Sequence, residues 1–405
     1  MSFLGLREYA RSSPWPEENT INIQLKQGLA VALDIPDFAV APISENTGSL
    51  YRVALSHAAF KAVLHPDQNP DSAFFKRCVA EVNAVNLFFP DIKNNDLKVV
   101  FTAWLGFACV MDDFLDILHI DNREAALRKA IKFIESNGSS PAAYQTSSVN
   151  DNRICGLTRE LYEHTTRYLS HKSASAFFKG VSEVLNAHFD EVRFLQSSER
   201  DSLPAYTYIR RRTISLSPFF EVIKSEYLPK MDGNLNNAFL HLQEEVSYVT
   251  GLQNDMVGLI RDLQDGEELN AVVVLLRGFN ITDMFQPNPK ILARCVAMVN
   301  AEHNRGVARC LDAATQVHRV AEGSASPIAE VEKVARHMLM MCETHLKWAA
   351  AAKRYRLETN ISERTSLPTP PSTRPSTASS GGGVTTPASE AEPEAANTGP
   401  SSLRV

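Results

Sequence analysis

The run Val99–Met111 contains no charged residue and is followed at once by three carboxylates, Asp112, Asp113 and Asp116. It is rich in residues that pack, among them Phe101, Trp104, Leu105 and Phe107, and reads as a buried helix. At thirteen residues it falls short of the ~20 that cross a bilayer. Asp112 and Asp116 are four apart and share a helix face, with Phe101, Leu105 and Ala108 below Asp112 on that same face. The sequence therefore predicts an apolar wall with an acidic rim. Three acids near a helix C-terminus oppose the macrodipole and repel one another. A solvated helix end tolerates this at a cost, whereas a bound divalent cation removes both penalties. Carboxylate oxygens suit Mg2+, which takes one or two carboxylates together with phosphate oxygens.

With 405 residues, 44% of them hydrophobic, the chain can bury a large core in one to three domains. A net charge of -6 argues against a nucleic-acid partner, and the triplet Arg210-Arg211-Arg212 is too short to reverse that. The six cysteines form no CxxC pair, a pattern of reduced thiols and a cytoplasmic setting. Met1–Trp15 offers no apolar signal core, and no uncharged run approaches spanning length, so no membrane span is expected.

The patterning predicts an all-α fold. Residues 1–48 read as an irregular, Pro-containing segment with a short helix around Ile21–Leu33. Helical periodicity then fills 49–358, in segments that include Leu50–Leu64, Ser72–Asn86, Leu97–Ile120, Arg123–Glu135, Arg153–Leu169, Ser173–Gln196, Leu203–Ser215, Phe219–Tyr227, Leu235–Leu263, Glu267–Gly278, Pro289–Val320 and Pro327–Leu357. Asn137–Asn152, rich in Ser, Asn and Gly, reads as a loop. Residues 359–405 turn to Pro, Ser, Thr and Gly, the composition of a disordered tail.

A second acidic element lies in the segment Leu235–Leu263. Asn254, Gly258 and Asp262 recur at i, i+4 and i+8 and line one face over two turns. That spacing suits a solvated polar face and equally a second cation site, with Arg261 beside it for phosphate. In Tyr208–Pro218, Pro218 has no N–H to give the Ile214 carbonyl, so the helix must kink or end beside Ser215, one turn after Arg211. The last helix carries Trp348, Arg354 and Tyr355.

These four elements, in this order, resemble the class I terpene synthases, most closely the microbial type. Asp112-Asp113-Phe114-Leu115-Asp116 looks like the family's DDxxD motif. Asn254–Asp262 is similar to its NSE motif, with Gly258 in place of Ser and Asp262 in place of Glu. Arg210–Pro218 fits RRxTxGxxP with Ser215 in the Gly place, and Arg354-Tyr355 resembles the C-terminal RY pair. The resemblance implies a helical barrel around an apolar pocket, in which three Mg2+ ions bind the diphosphate of a linear isoprenoid. It assigns metal binding to Asp112, Asp113, Asp116, Asn254, Gly258 (through water) and Asp262. Arg211 resembles the diphosphate sensor and Ser215 the effector, while Arg261, Arg354 and Tyr355 join Arg211 in holding diphosphate. Phe101, Trp104, Leu105, Ala108 and Trp348 are candidate pocket residues. The expected reaction is Mg2+-dependent ionisation and cyclisation of farnesyl diphosphate to a cyclic sesquiterpene, with a humulene-type ring as the product class. Its alternatives are a diterpene cyclase acting on geranylgeranyl diphosphate, an isoprenyl diphosphate synthase and a non-catalytic helical scaffold. A homodimer is left open.

The tail after Thr359 has too little apolar surface to order itself, so truncation after Asn360 is expected to leave product formation intact. Product yield per mole of enzyme for the truncated and full chains checks this, and a loss of activity with the fold retained refutes it.

Overall fold

The computed structural model describes residues 14–25, 28–40, 50–65, 68, 71–138, 149–281, 283 and 285–352, the side chains of 116, 120, 121 and 149–152 excepted. The predicted loop, the tail and Arg354-Tyr355 therefore lie wholly or largely outside the described residues.

Thirteen helices account for most of that length: α1 Tyr51–Leu64, α2 Ser72–Phe88, α3 Asn95–Ile117, α4 Ile120–Glu135, α5 Val149–Thr165, α6 His171–Gln196, α7 Leu203–Thr213, α8 Ser217–Tyr227, α9 Gly233–Asp265, α10 Ala271–Gly278, α11 Pro289–Glu322, α12 Ile328–Leu339 and α13 Met341–Ala351. The all-α reading holds for the body of the fold. It fails at the N-terminus, where Glu18–Gln24 (β1) and Ala30–Pro36 (β2) pair antiparallel in the register Ile21↔Leu33. The expected helix over Ile21–Leu33 is thus a hairpin. Its buried residues alternate, Ile21, Ile23 and Leu25 on one arm and Val31, Leu33 and Ile35 on the other, which is the period of a strand and not of a helix. Gly28, at φ +74°, sits in the turn, where a left-handed conformation favours glycine.

The free edge of β2 is satisfied by a helix. Asn300 and Asn304 stand one turn apart on α11. Asn300 Oδ1 accepts from the Ala32 amide at 2.9 Å, Asn304 Oδ1 from the Asp34 amide at 3.1 Å, and both side-chain amides donate to the Ala32 carbonyl. An open edge would otherwise offer unpaired backbone groups to another strand. The other face of the hairpin packs into a core shared with α9, α10 and α11.

Helix ends follow local chemistry. Asp232 caps α9 by accepting from the Leu235 amide at 2.8 Å. Gly266, at φ +73°, ends the same helix in the left-handed conformation that favours glycine, and both its amide and that of Glu267 reach back to the Asp262 carbonyl. The predicted single helix over Pro327–Leu357 is two, broken at Met340. There the Gln253 side chain donates to the Cys342 carbonyl at 2.8 Å and Thr344 Oγ1 donates to the Met340 carbonyl, so side chains compete with the helical ladder. The expected break before Pro218 is present: α7 stops at Thr213, α8 starts at Ser217, and Ser215 between them has φ +68°.

The elbow between α7 and α8 is pressed against α6 at Gly180. A Cβ built there would stand 2.7 Å from the Pro218 nitrogen, closer than packed atoms approach. Gly180→Ala is therefore expected to cost ~1–3 kcal/mol through forced displacement of backbone, and to move the elbow. Melting temperature and turnover read together check this; a variant with native values for both refutes it.

Candidate active site

Two hollows meet inside the helical body. One is an acidic cleft lined by Asp112, Asp113, Arg123, His188, Glu191, Arg210, Asn254, Asp255, Arg261, Asp262 and Glu267. The other is a largely apolar chamber lined by Phe88, Trp104, Leu105, Ala108, Ser215, Leu216, Phe219, Met341, His345 and Trp348 among others. Asp112, His188, Arg210 and Asn254 line both, so they form the boundary between a charged cleft and a more apolar chamber.

Helix α3 builds one side. Leu105, Ala108 and Asp112 fall at successive turns on its inner face, as the spacing predicts. Phe101, one turn lower, does not line the chamber. It is wholly buried behind it, with its ring 5.1 Å from Phe89 and 5.0 Å from Phe219, and so belongs to the core. Trp104 Nε1 donates to the Ser215 carbonyl at 2.8 Å. The helix that carries the acids is thereby bonded to the elbow that carries Ser215. The side chain of Asp116 lies outside the described residues.

Helix α9 builds the opposite side. Asn254 and Asp262 face the cleft, and Gly258 lies between them on the same stripe: a Cβ there would stand 3.0 Å from Asp262 Oδ2. The glycine gives that carboxylate its room, so a serine at 258 requires Asp262 to move. Burial, Asp255 and Glu267 together push the Asp262 carboxyl up to about 7, against the hydrogen bond it accepts from Asn270. Burial first, then Asp112 and Glu191, also raise Glu267. These are the signs of carboxylates crowded without enough positive charge.

Arg210 is the partly buried cation of the site. Its Nε donates to Asp255 Oδ1 at 2.9 Å and its Nη2 to Asn254 Oδ1 at 2.8 Å. Asp255 also accepts from Tyr206 Oη at 2.8 Å and from the Ala271 amide at 3.0 Å. Burial opposes the charge on Arg210, but Asp255, Tyr206 and Glu191 outweigh it and raise its pKa. Arg211, the expected diphosphate sensor, lines neither hollow. It turns outward to Glu244 at 3.4 Å and over the Tyr208 ring. Adjacent residues on a helix diverge by about 100°, and the Asp255 carboxylate has captured the first of the pair. Arg261 does border the cleft, where it pairs with Asp265 at 3.3 Å.

Several lining residues escaped the sequence reading. His188 Nδ1 pairs with Glu191 at 2.8 Å; burial works against both charges, yet each partner prevails, raising His188 and lowering Glu191. Their i, i+3 spacing on α6 was a visible signal. Arg123 gave none, whereas Glu267 stands in Gly266-Glu267-Glu268-Leu269-Asn270, which directly follows the Asn254–Asp262 element.

Oxygen donors on two facing helices suit a hard divalent cation. Among the described residues no three His, Cys, Asp or Glu side chains stand close enough to hold an ion alone. Phosphate oxygens and water would therefore complete any coordination shell, a division of labour usual for Mg2+.

Residues 103–284 match the family model described as terpene synthase family 2, C-terminal metal binding. No curated protein matches the sequence. Among solved structures, a hedycaryol synthase in complex with HEPES is 15% identical with a TM-score of 0.56, covering 78% of this chain and 98% of that one. A linalool/nerolidol synthase from Streptomyces clavuligerus is 14% identical, TM-score 0.56, covering 77% and 99%. A germacradien-4-ol synthase from Streptomyces citricolor is 13% identical, TM-score 0.55, covering 75% and 96%. At these identities the likeness is one of fold, and the metal-binding family model covers the segment that carries both acidic elements. No described helix is long and apolar enough to cross a membrane.

The contrast between the two arginines is testable. Arg210→Lys keeps a charge but loses the fork, and turnover is expected to fall by about a hundredfold or more. Arg211→Ala loses an outward pair with Glu244 worth under ~1 kcal/mol and its contact with the Tyr208 ring, both away from the two hollows, and is expected to stay close to native in turnover. Steady-state kinetics of both variants check this, and the reverse order refutes it.

Proposed function

We propose that the protein ionises and cyclises a linear isoprenyl diphosphate, farnesyl diphosphate in particular, and releases diphosphate and a cyclic sesquiterpene. The observation that carries this reading is the junction of an oxygen-rich acidic cleft with an apolar chamber across Arg210, Asn254 and Asp112. A diphosphate head and a hydrocarbon tail on one molecule need those two environments side by side. The chamber holds a cavity of about 160 Å3, smaller than the ~300–1,000 Å3 of small-molecule sites, so a C15 chain requires its walls to move apart.

Asp112, Asp113 and Asp116 on α3, and Asn254 and Asp262 on α9, are the residues to hold Mg2+, three ions by family resemblance, with water in place of a side chain at Gly258. Bound there, the metal supplies Lewis-acid neutralisation of the leaving diphosphate. Arg210, with Arg123 and Arg261 at the rim, adds fixed positive charge where negative charge develops on the leaving group. Asp255 and Asn254 hold the Arg210 fork in place before substrate arrives. The chamber excludes water from the carbocation. Trp104, Phe88, Phe219 and Trp348 present ring faces or edges around it, and ring faces attract cations. The Ser215 carbonyl sits at the chamber wall with its direction fixed by the Trp104 indole.

Incubation with C10, C15 and C20 prenyl diphosphates and Mg2+, followed by product analysis, tests the reading. The C15 substrate is expected to give cyclic product. Asp112→Ala or EDTA is expected to cut turnover by ~10²-fold or more, the scale of a lost charge-stabilising group. Absence of product from all three substrates refutes it.

A further inference from the structure

Helix α13 carries a histidine into the chamber whose protonation pattern is dictated by its neighbours. His345 is 5% exposed and lines the apolar chamber. Its ring lies near Phe88 and Trp348, with centroids 6.3 and 5.8 Å away.

The pattern starts at the Cys342 carbonyl, which can only accept a hydrogen bond. Gln253, wholly buried, donates its Nε2 to that carbonyl at 2.8 Å. The same Nε2 lies 3.2 Å from His303 Nε2, and His303 Nδ1 lies 2.8 Å from Asn304 Oδ1. The Asn304 side-chain amide is itself engaged with the Ala32 carbonyl, so the Asn304 oxygen faces His303. His303 therefore carries its proton on Nδ1 and accepts on Nε2. With its nitrogen so committed, Gln253 can present only its oxygen to His345. Gln253 Oε1 lies 3.0 Å from His345 Nδ1, so Nδ1 must carry the proton. In a neutral imidazole the other nitrogen then holds a lone pair. Among the described residues Nε2 has no hydrogen-bond partner, and it is not among the sealed, unsatisfied nitrogens of the interior. It opens into the chamber.

We propose that His345 Nε2 is the base that removes the final proton from the carbocation in the apolar chamber. The inference rests on the cyclase reading and deepens it by naming a residue that decides where the product's double bond falls. The C–H bond beside the cationic carbon breaks, and its electron pair becomes the new C=C π bond. The proton forms an N–H bond at Nε2, and the imidazolium then hands it to the released diphosphate, which leaves carrying it. A carbocation is so strong an acid that basicity is not the limiting property; a placed lone pair is. Burial, with the charge of Arg210 adding to it, pushes the His345 pKa down to about 3. The ring is therefore neutral when the cation forms, and gives the proton up readily afterwards.

The experiment compares the native full chain with His345→Asn and His345→Phe. Asparagine keeps a donor for Gln253 and removes Nε2; phenylalanine keeps the ring between Phe88 and Trp348 and removes both nitrogens. With the C15 diphosphate and Mg2+, both diphosphate release and the product spectrum are measured, and melting temperature confirms folding. In a folded variant the native major product is expected to fall at least about tenfold further than diphosphate release does, a modest share of the ~10²–10⁴ of a general base. Double-bond isomers or alcohols replace it. A folded variant with native product ratios overturns the assignment while leaving the cyclase reading intact. Failure of the native chain to release diphosphate from any C10–C20 substrate overturns the cyclase reading, and this one with it. If neither variant folds, His345 is a member of the scaffold and the proposal falls.

Discussion

A buried ion pair, Arg210 with Asp255, sets the geometry of the site. Asp255 gathers α7 through Arg210 and Tyr206, and the start of α10 through the Ala271 amide. Tyr206 adds a bond to the Leu269 carbonyl, and Asn270 donates to the carbonyl of Asp255 and to the side chain of Asp262. Three helices and the turn between two of them thus share one small polar knot. Taking two charges out of water is costly, and losing one partner of such a pair costs ~3–5 kcal/mol. The knot is stable only when complete. It also settles which of three consecutive arginines points inward, and so where the fixed positive charge of the cleft stands.

The second constraint is the elbow at Ser215. A non-glycine residue at φ +68° bears a steric cost of ~1–2 kcal/mol, which Ser215 offsets in part by its own bond from Oγ to the Thr213 carbonyl at 3.0 Å. The Trp104 indole then pins the backbone carbonyl of the same residue. Since Trp104 and Asp112 lie two turns apart on one stiff helix, a change in the position of the acids is transmitted to the elbow through a single rigid rod.

Much of this was legible in the sequence. Helical periodicity marked α3 and α9, and the stripe from Leu105 through Ala108 to Asp112 was correctly placed on one face. Pro218 announced the break, because a residue without an N–H cannot continue a ladder. What periodicity cannot deliver is azimuth. Arg210 and Arg211 are equal in a linear reading, and only the location of Asp255 in three dimensions separates them. Phe101 fits the same stripe as Leu105, yet ends one layer too deep. The hairpin was misread although its alternation of Ile21, Ile23 and Leu25 was present, because the arms are short and the surrounding chain is helical. Arg123 and His345 reach the site from outside the two acidic elements, and no local pattern records such meetings.

The N-terminal strap links the two extremes of the described chain. The amides of Phe38 and Val40 donate to the buried Glu343 carboxylate at 2.8 and 3.0 Å, and Lys347 reaches the Val40 carbonyl at 3.1 Å. These partners are some 305 positions apart in sequence, and the asparagines that cover β2 are some 270 away from it. During synthesis the hairpin emerges first and its edge has nothing to rest on until α11 is made. Helix α13, which walls the chamber, is held by Gln253 of α9 and, through Glu343 and Lys347, by this strap. Such distant contacts are slow to form, so in a nascent chain the edge of β2 stays open until α11 has been made, free for a chaperone or a neighbouring copy to find.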